Sequence, residues 1–226
     1  MEGALSLVAL VAVVVSAGVI TVAAHFRMDR ATALRAWAHA NGWHYTDHHP
    51  RPLEDTVLPR AVHGQHARSQ HVLTGRRGAH LVTAFEHSHT ATAADRRGNG
   101  RSRLTYRIVA VRTPGPNAEL EIRRRVELRP ATGDGVEPVD TVFDAAFQTT
   151  GSDATFTHAV LDQATRRWLL ADSRSRSLPV RFSGDHVLTW APMRLDPARA
   201  LTAADYLIEL VDRVPSTAWN GRTTGR

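Results

Sequence analysis

Residues Ala4 to Ala24, ALSLVALVAVVVSAGVITVAA, form an uninterrupted apolar run with no charge and no proline. At about 1.5 Å per helical residue such a run spans roughly 31 Å, the thickness of a bilayer's hydrocarbon core. It predicts an N-terminal transmembrane helix and constrains everything after it to be a domain on a tether. A cleaved signal peptide would have a basic leader and a shorter apolar core, although Val22-Ala23-Ala24 is a small-residue sequence of the kind that is cleaved. Arg27, Arg30 and Arg35 flank the C-terminal side, against one acid, Asp29. The positive-inside rule therefore places the N-terminus outside and the domain in the cytoplasm, with a secreted or extracytoplasmic domain as the alternative. The expected organisation is an anchor over 1–26, a single α+β domain over 27–220 and a flexible tail over 221–226.

The chain has 226 residues and a formal net charge of +6, and every one of its 28 basic Lys or Arg positions is arginine. A basic surface favours anionic lipid or nucleic acid without specificity. Cysteine is absent, which excludes disulfides, thiolate metal sites and a cysteine nucleophile.

After the anchor, Arg30 to Asn41 carries Ala33, Leu34, Trp37 and Ala40 at helical spacing, with Asn41-Gly42 as a stop signal. Trp43 to Thr46 reads as a short strand, and Leu53 to Gln70 as loop with room for a turn of helix. From His71 the period becomes two. His71–Thr74 and His80–Ser88 flank Gly75-Arg76-Arg77-Gly78, which reads as a four-residue hairpin turn. Thr90 to Arg103 is a polar loop. Leu104–Thr113 is the best strand, with Val109 and Val111 on one face and Tyr106, Ile108 and Ala110 on the other. Leu120, Ile122, Val126 and Leu128 alternate in the next, completing an antiparallel meander of at least four strands.

The remainder is more helical. Val142, Phe143 and Phe147 suit a short helical turn, and Asp153 caps a helix expected to run through Phe156, Val160, Leu161, Ala164, Trp168 and Leu169. Val180–Ser183 and His186–Trp190 form a hairpin around Gly184-Asp185. Asp196-Pro197 opens a C-terminal amphipathic helix with Leu201, Ala204, Ile208 and Val211 on its stripe, ended by Pro215.

Taken in order, Asn41-Gly42-Trp43 with Tyr45, the Gly75–Phe85 hairpin, Ile108-Val109-Ala110-Val111, Phe143 with Phe147, His158-Ala159-Val160-Leu161, Gly184-Asp185 with Leu188 and Trp190, and Val211-Asp212 with Val214-Pro215 form a recognisable series. The series resembles a group of uncharacterised actinobacterial proteins with an N-terminal membrane segment and one domain of unknown function. The resemblance implies this architecture and a GC-rich bacterial source, and carries no catalytic residue. The family pattern commonly has tyrosine where this chain has His87 and His89, which weakens a histidine site there.

Ten of the 13 histidines lie between positions 39 and 89. On a strand, His87 and His89 share a face and could bind one metal ion, with Glu86 pointing the other way and His71 or His80 as a third ligand across the hairpin. No HExxH pattern supports them, there is no GxSxG elbow, and no lysine is present for a Walker loop. No cofactor is implied. Arg76 and Arg77 at a hairpin tip, with Arg96, Arg97, Arg101 and Arg103 in one loop, would make a basic rim for anionic lipid if loop and tip lie on the same side. Arg123-Arg124-Arg125 forms a third basic cluster.

The resulting expectation is a single-pass, membrane-anchored, non-enzymatic interaction or scaffold domain at the inner face of the membrane, with anionic headgroups and an unknown protein as partners. The alternatives are an envelope enzyme using histidine-bound metal or a histidine base, and a basic domain binding lipid or nucleic acid. Nucleic acid is the weaker partner, because aromatics are few and a tether restricts access.

Overall fold

The computed structural model describes residues 29–54, 56–90, 103–125 and 139–220. Packing divides the chain into two compact units, Met1–Tyr45 and Thr46–Arg226. The transmembrane segment expected over Ala4–Ala24 lies outside the described residues, among which no helix is long and apolar enough to cross a membrane.

In the first unit, residues 29–40 are helical (α1). Leu34 and Ala38 are its buried residues, and Trp37 is half-buried, whereas Ala33 and Ala40 of the expected stripe are exposed. Gly42 takes φ +69° after the last turn, a conformation that glycine adopts without steric cost. The chain reversal lets Trp37 and Trp43 meet edge to face at 5.6 Å, and Arg35 stacks over Tyr45.

Strand β1 (His44–His48) crosses into the second unit, which contains β2 (Gln65–Arg77), β3 (His80–Thr90), β4 (Arg103–Arg112), β5 (Leu120–Arg124), β6 (Phe147–Gly151), β7 (Val180–Ser183) and β8 (His186–Ala191). The sheet order is β1-β2-β3-β4-β8-β7-β5-β6. The strand pairs from β2 to β6 are antiparallel. The α+β class stands, but the strand through Leu120 and Ile122 does not pair with the one before it as expected. Three consecutive strands, β2 to β4, pair in order, and then β8 takes the place beside β4 while β5 pairs with β6 and β7. Period-two patterning identifies a strand but not its neighbour, and Pro114 to Asn117 redirects the chain instead of folding it back. Val126 and Leu128 lie outside the described residues.

The first hairpin is also tighter than its glycines suggested. Arg77 pairs with His80, so Gly75 to Arg77 remain in β2 and the turn is Gly78-Ala79, with Gly78 at φ +60°. At its other end β2 begins at Gln65, within the stretch expected to be loop. Alternation is hidden there because the register shifts twice, opposite His89 and opposite Phe85. His66 and His71 sit at these bulges with φ +53° and +54°, a left-handed geometry that costs a non-glycine residue about 1–2 kcal/mol.

Helices α2 (Val139–Ala146), α3 (Ala154–Val160), α4 (Gln163–Ala171) and α5 (Pro197–Arg213) follow, with α5 packed on β3, β4 and β8, α2 on β6, and α4 against α2. The helix expected from Asp153 to Leu169 is two: the chain breaks at Leu161, and Asp162 caps α4 through its carboxylate and Thr165 N–H at 2.7 Å. Asp196 caps α5, which buries Ala200, Ala203, Ala204, Leu207, Leu210 and Val211 against β3, β4 and β8. Leu201 and Ile208 of the expected stripe are only half-buried, so the inward face is rotated by about one residue. Trp168 of α4 stacks on Tyr206 of α5, and Phe156, Phe182 and Trp219 form an aromatic cluster at the sheet's other half.

Candidate functional site

Within the larger unit, α5 packs against β3, β4 and β8 on one face of the sheet, and the other face is built differently. Cross-strand pairs define it. Phe85 lies opposite Ile108, His87 opposite Tyr106, Ile108 opposite Trp190, and Leu188 opposite Arg181, which in turn lies opposite Glu121. One half of the face is therefore apolar and histidine-bearing, and the other half is charged. A strap formed by residues 50–54 and 56–63 crosses it, inserting Leu53, Leu58 and Val62 into a cluster with Val72, Phe85, Ile108, Ala110, Leu188 and Trp190.

The strap is held at several points. Ser183 Oγ accepts from Val57 N–H at 3.0 Å, Arg181 Nε donates to Val57 C=O at 3.1 Å, and Thr56 Oγ1 lies 3.1 Å from His186 Nδ1. Arg181 also bonds Glu119 at 2.5 Å and Glu121 at 2.8 Å, while Ser183 donates to Glu119 at 2.6 Å. These contacts turn an otherwise costly charged patch into a closed network. The strap carries proline at 50, 52 and 59, which explains why it has no strand or helix of its own beyond a short 3-10 turn, Arg60–Val62.

His87 secures the opposite side. Its Nδ1 lies 3.1 Å from Ser69 Oγ, and it bonds the Val62 backbone. Burial, aided by the neighbouring His89, pushes its pKa down to about 4, so the ring is neutral at physiological pH. A serine beside a histidine suggests nucleophilic chemistry, but such weak basicity and the burial of both side chains suit a latch better than a general base. His89 is fully buried, its ring stacked on Tyr106 and pressed by Gly64, where a Cβ would lie 2.2 Å from His89 Cδ2.

Two hollows flank the strap and share Val57, Leu58 and His63 in their walls. One, of about 540 Å³, is lined by Pro50, Pro52, Leu53 and Phe85, with Ser69 and His87 as polar groups. The other, of about 670 Å³, lies over Glu119, Glu121, Arg123 and Arg181. Val57 is 54 % exposed at the crest between them.

The candidate metal ligands do not converge. His87 and His89 share a face, as the strand spacing requires, with ring centroids 6.3 Å apart. His71 turns toward Asp47, 3.6 Å away. His80 lies seven residues along β3 from His87, roughly 23 Å, and meets Asp212 at 3.3 Å. Among the described residues no group of three His, Asp or Glu is placed to hold an ion. Glu86 points to the helical side, as expected, where its Oε1 accepts from Leu195 N–H at 2.7 Å.

Of the expected basic rim, Arg76, Arg77 and Arg103 are among the described residues. Arg76 and Arg77 pair with the start of β3 and Arg103 with its end, about ten residues or roughly 33 Å away. Arg77 is engaged by Asp205 through two bonds of 2.8 and 2.9 Å, Arg76 donates to Ala79 C=O, and Arg103 donates to Ser88 Oγ. Arg96, Arg97 and Arg101 lie outside the described residues. The strap hollow escaped sequence reasoning because it joins residues 50–63 to strands 69 and 85–87. The three prolines were its signal, marking a segment that crosses the sheet without joining it.

No protein-family model matches the chain, and no curated protein matches it in sequence. The fold is similar to the crystal structure of the mycobacterial trehalose monomycolate transport factor A, TtfA, with a TM-score of 0.51 over 81% of this chain and 90% of that one. At 12% sequence identity the likeness concerns the fold alone.

Proposed function

We propose that this chain is a membrane-tethered, non-enzymatic interaction module that holds the apolar part of an amphiphilic envelope molecule beneath the strap. The hollow over Phe85 carries this reading. Pro50, Pro52, Leu53, Val57, Leu58 and Phe85 supply apolar wall, while Ser69, His63 and His87 supply polar groups, the mixture an amphiphile requires. The charged hollow on the strap's other flank gives room for a headgroup. Two further observations support the reading: the 21-residue apolar run that would keep the domain at a bilayer, and the fold's likeness to a protein named for transport of a glycolipid. On this reading the N-terminus is outside and the domain works at the inner leaflet beside an unidentified protein partner.

Photo-crosslinking tests the site. The full chain in membranes, exposed to a diazirine-bearing fatty acid, is expected to be labelled on peptides containing residues 50–63 or 85–87, with labelling competed by membrane lipid and lost in Leu58→Arg. Labelling no greater than in the heat-denatured chain would refute the site. An alkaline phosphatase fusion at the C-terminus tests orientation: high activity would place the domain outside.

A further inference from the structure

Most arginines of the larger unit whose contacts are described are committed. Arg77 is held by Asp205, Arg112 by Asp185, Arg166 by Asp140, Arg174 by Asp172 and Glu209, and Arg181 by Glu119 and Glu121. Arg125 donates to the carbonyls of Asp144 and Phe147. A different situation exists where β5 ends beside the turn that leads into β7.

There Arg123, Arg124 and Arg176 line a hollow of about 190 Å³ with Ser175, Ser177, Pro179 and Trp190. Arg124 and Arg176 have no carboxylate within salt-bridge distance among the described residues. Arg124 lies over the Phe147 ring, and its Nη1 is shielded from solvent without a hydrogen-bond partner. The acid beside Arg123 is Glu121, already bonded by Arg181. Arg123 is also set over the Trp190 ring, 5.3 Å from its centroid, a cation–π contact. Three arginines thus share one acid between them and border one hollow. Arg176 is exposed, and neither it nor Arg124 spends its guanidinium charge on a carboxylate among the described residues, which leaves charge for an anion in the hollow.

We propose that Arg123, Arg124 and Arg176, with the Ser177 hydroxyl, form a phosphate-binding site. Guanidinium forks bond tetrahedral oxyanions in pairs, and a dianion balances two unpaired arginines where a carboxylate would balance one. The hollow has room for a phosphate and a short substituent, with the Trp190 ring as its wall. It shares Arg123 with the charged hollow and Trp190 with the cluster beneath the strap, whereas Arg124, Arg176 and Ser177 line this hollow and neither of those beside the strap, so variants at those three test it separately from the amphiphile reading.

Isothermal titration of the full chain in an uncharged detergent, at constant ionic strength, tests it with two ligands. Inorganic phosphate represents a free ion, and glycerophosphoglycerol represents the headgroup of an anionic lipid. Saturable binding of either supports the site, and the tighter of the two identifies its source. Arg124→Gln with Arg176→Gln is expected to weaken binding at least tenfold. Should that pair unfold, Ser177→Glu, at an exposed position, introduces a carboxylate into the hollow and is expected to have the same effect with an unchanged melting temperature. Absence of saturable binding for both ligands, or equal affinity in a folded variant, would overturn the proposal.

Discussion

At Gly64 there is no room for a side chain. A Cβ there would meet His89 Cδ2 at 2.2 Å and the Thr90 carbonyl oxygen at 2.8 Å, and His89 is fully buried with its ring stacked on Tyr106. Gly64→Ala is expected to destabilise the fold by about 1–3 kcal/mol, read as a lowered urea midpoint with unchanged slope. His87 makes a second prediction. Its folded pKa of about 4 lies below the ordinary 6.5, so between those values the unfolded chain binds more protons and stability rises with pH. Acidification from pH 6.5 to 4 is expected to remove about 3 kcal/mol, and His87→Gln to flatten that part of the profile. Urea titrations at several pH values, wild type against variant, would check it; parallel profiles would refute the latch. That 87 and 89 share a face was legible from strand spacing. That they are buried packing residues was not, because Gly64 and Tyr106 are distant in sequence.

Elements were legible where local chemistry starts or stops them. Asp196-Pro197 opens α5, and Gly184-Asp185 turns the last hairpin, both as expected from the sequence. The boundary at Asp162 was hidden because apolar residues continue across it in near-helical rhythm. The structure shows a cap whose carboxyl is held below the usual range, chiefly by the Thr165 backbone N–H. Asp162→Ala is expected to cost about 0.5–2 kcal/mol in thermal unfolding. The loss should vanish at low pH: a lowered carboxyl pKa contributes stability above about pH 4, which disappears as pH falls and the carboxylate is protonated. In α5 the apolar residues surround enough of the helix that alternative stripes exist, and contact with β3, β4 and β8 selects the one through Ala203 and Leu207.

In the larger unit, α5 packs on one sheet face and the strap on the other, and Arg181 ties the strap to the charged half. Its replacement by alanine frees the Val57 carbonyl and leaves Glu119 and Glu121 without a shared partner. Arg181→Ala is expected to cost about 3–5 kcal/mol if the pair behaves as buried, less in proportion to the exposure of Glu119, and to raise hydrogen exchange at Val57 before the sheet opens. Uniform exchange across strap and sheet would refute a separable strap. From the sequence alone follow the apolar N-terminal run, the α+β class, the strands through Phe85 and Ile108, the last hairpin around Gly184-Asp185 and the cap of the last helix. All of these depend on neighbours within a few residues. The order of the strands, the bulges at His66 and His71, the strap over Phe85 and the meeting of Arg123 and Arg124 with Arg176 were decided by tertiary structure. Each joins segments tens of residues apart, where side-chain period says which face is apolar but not what will cover it.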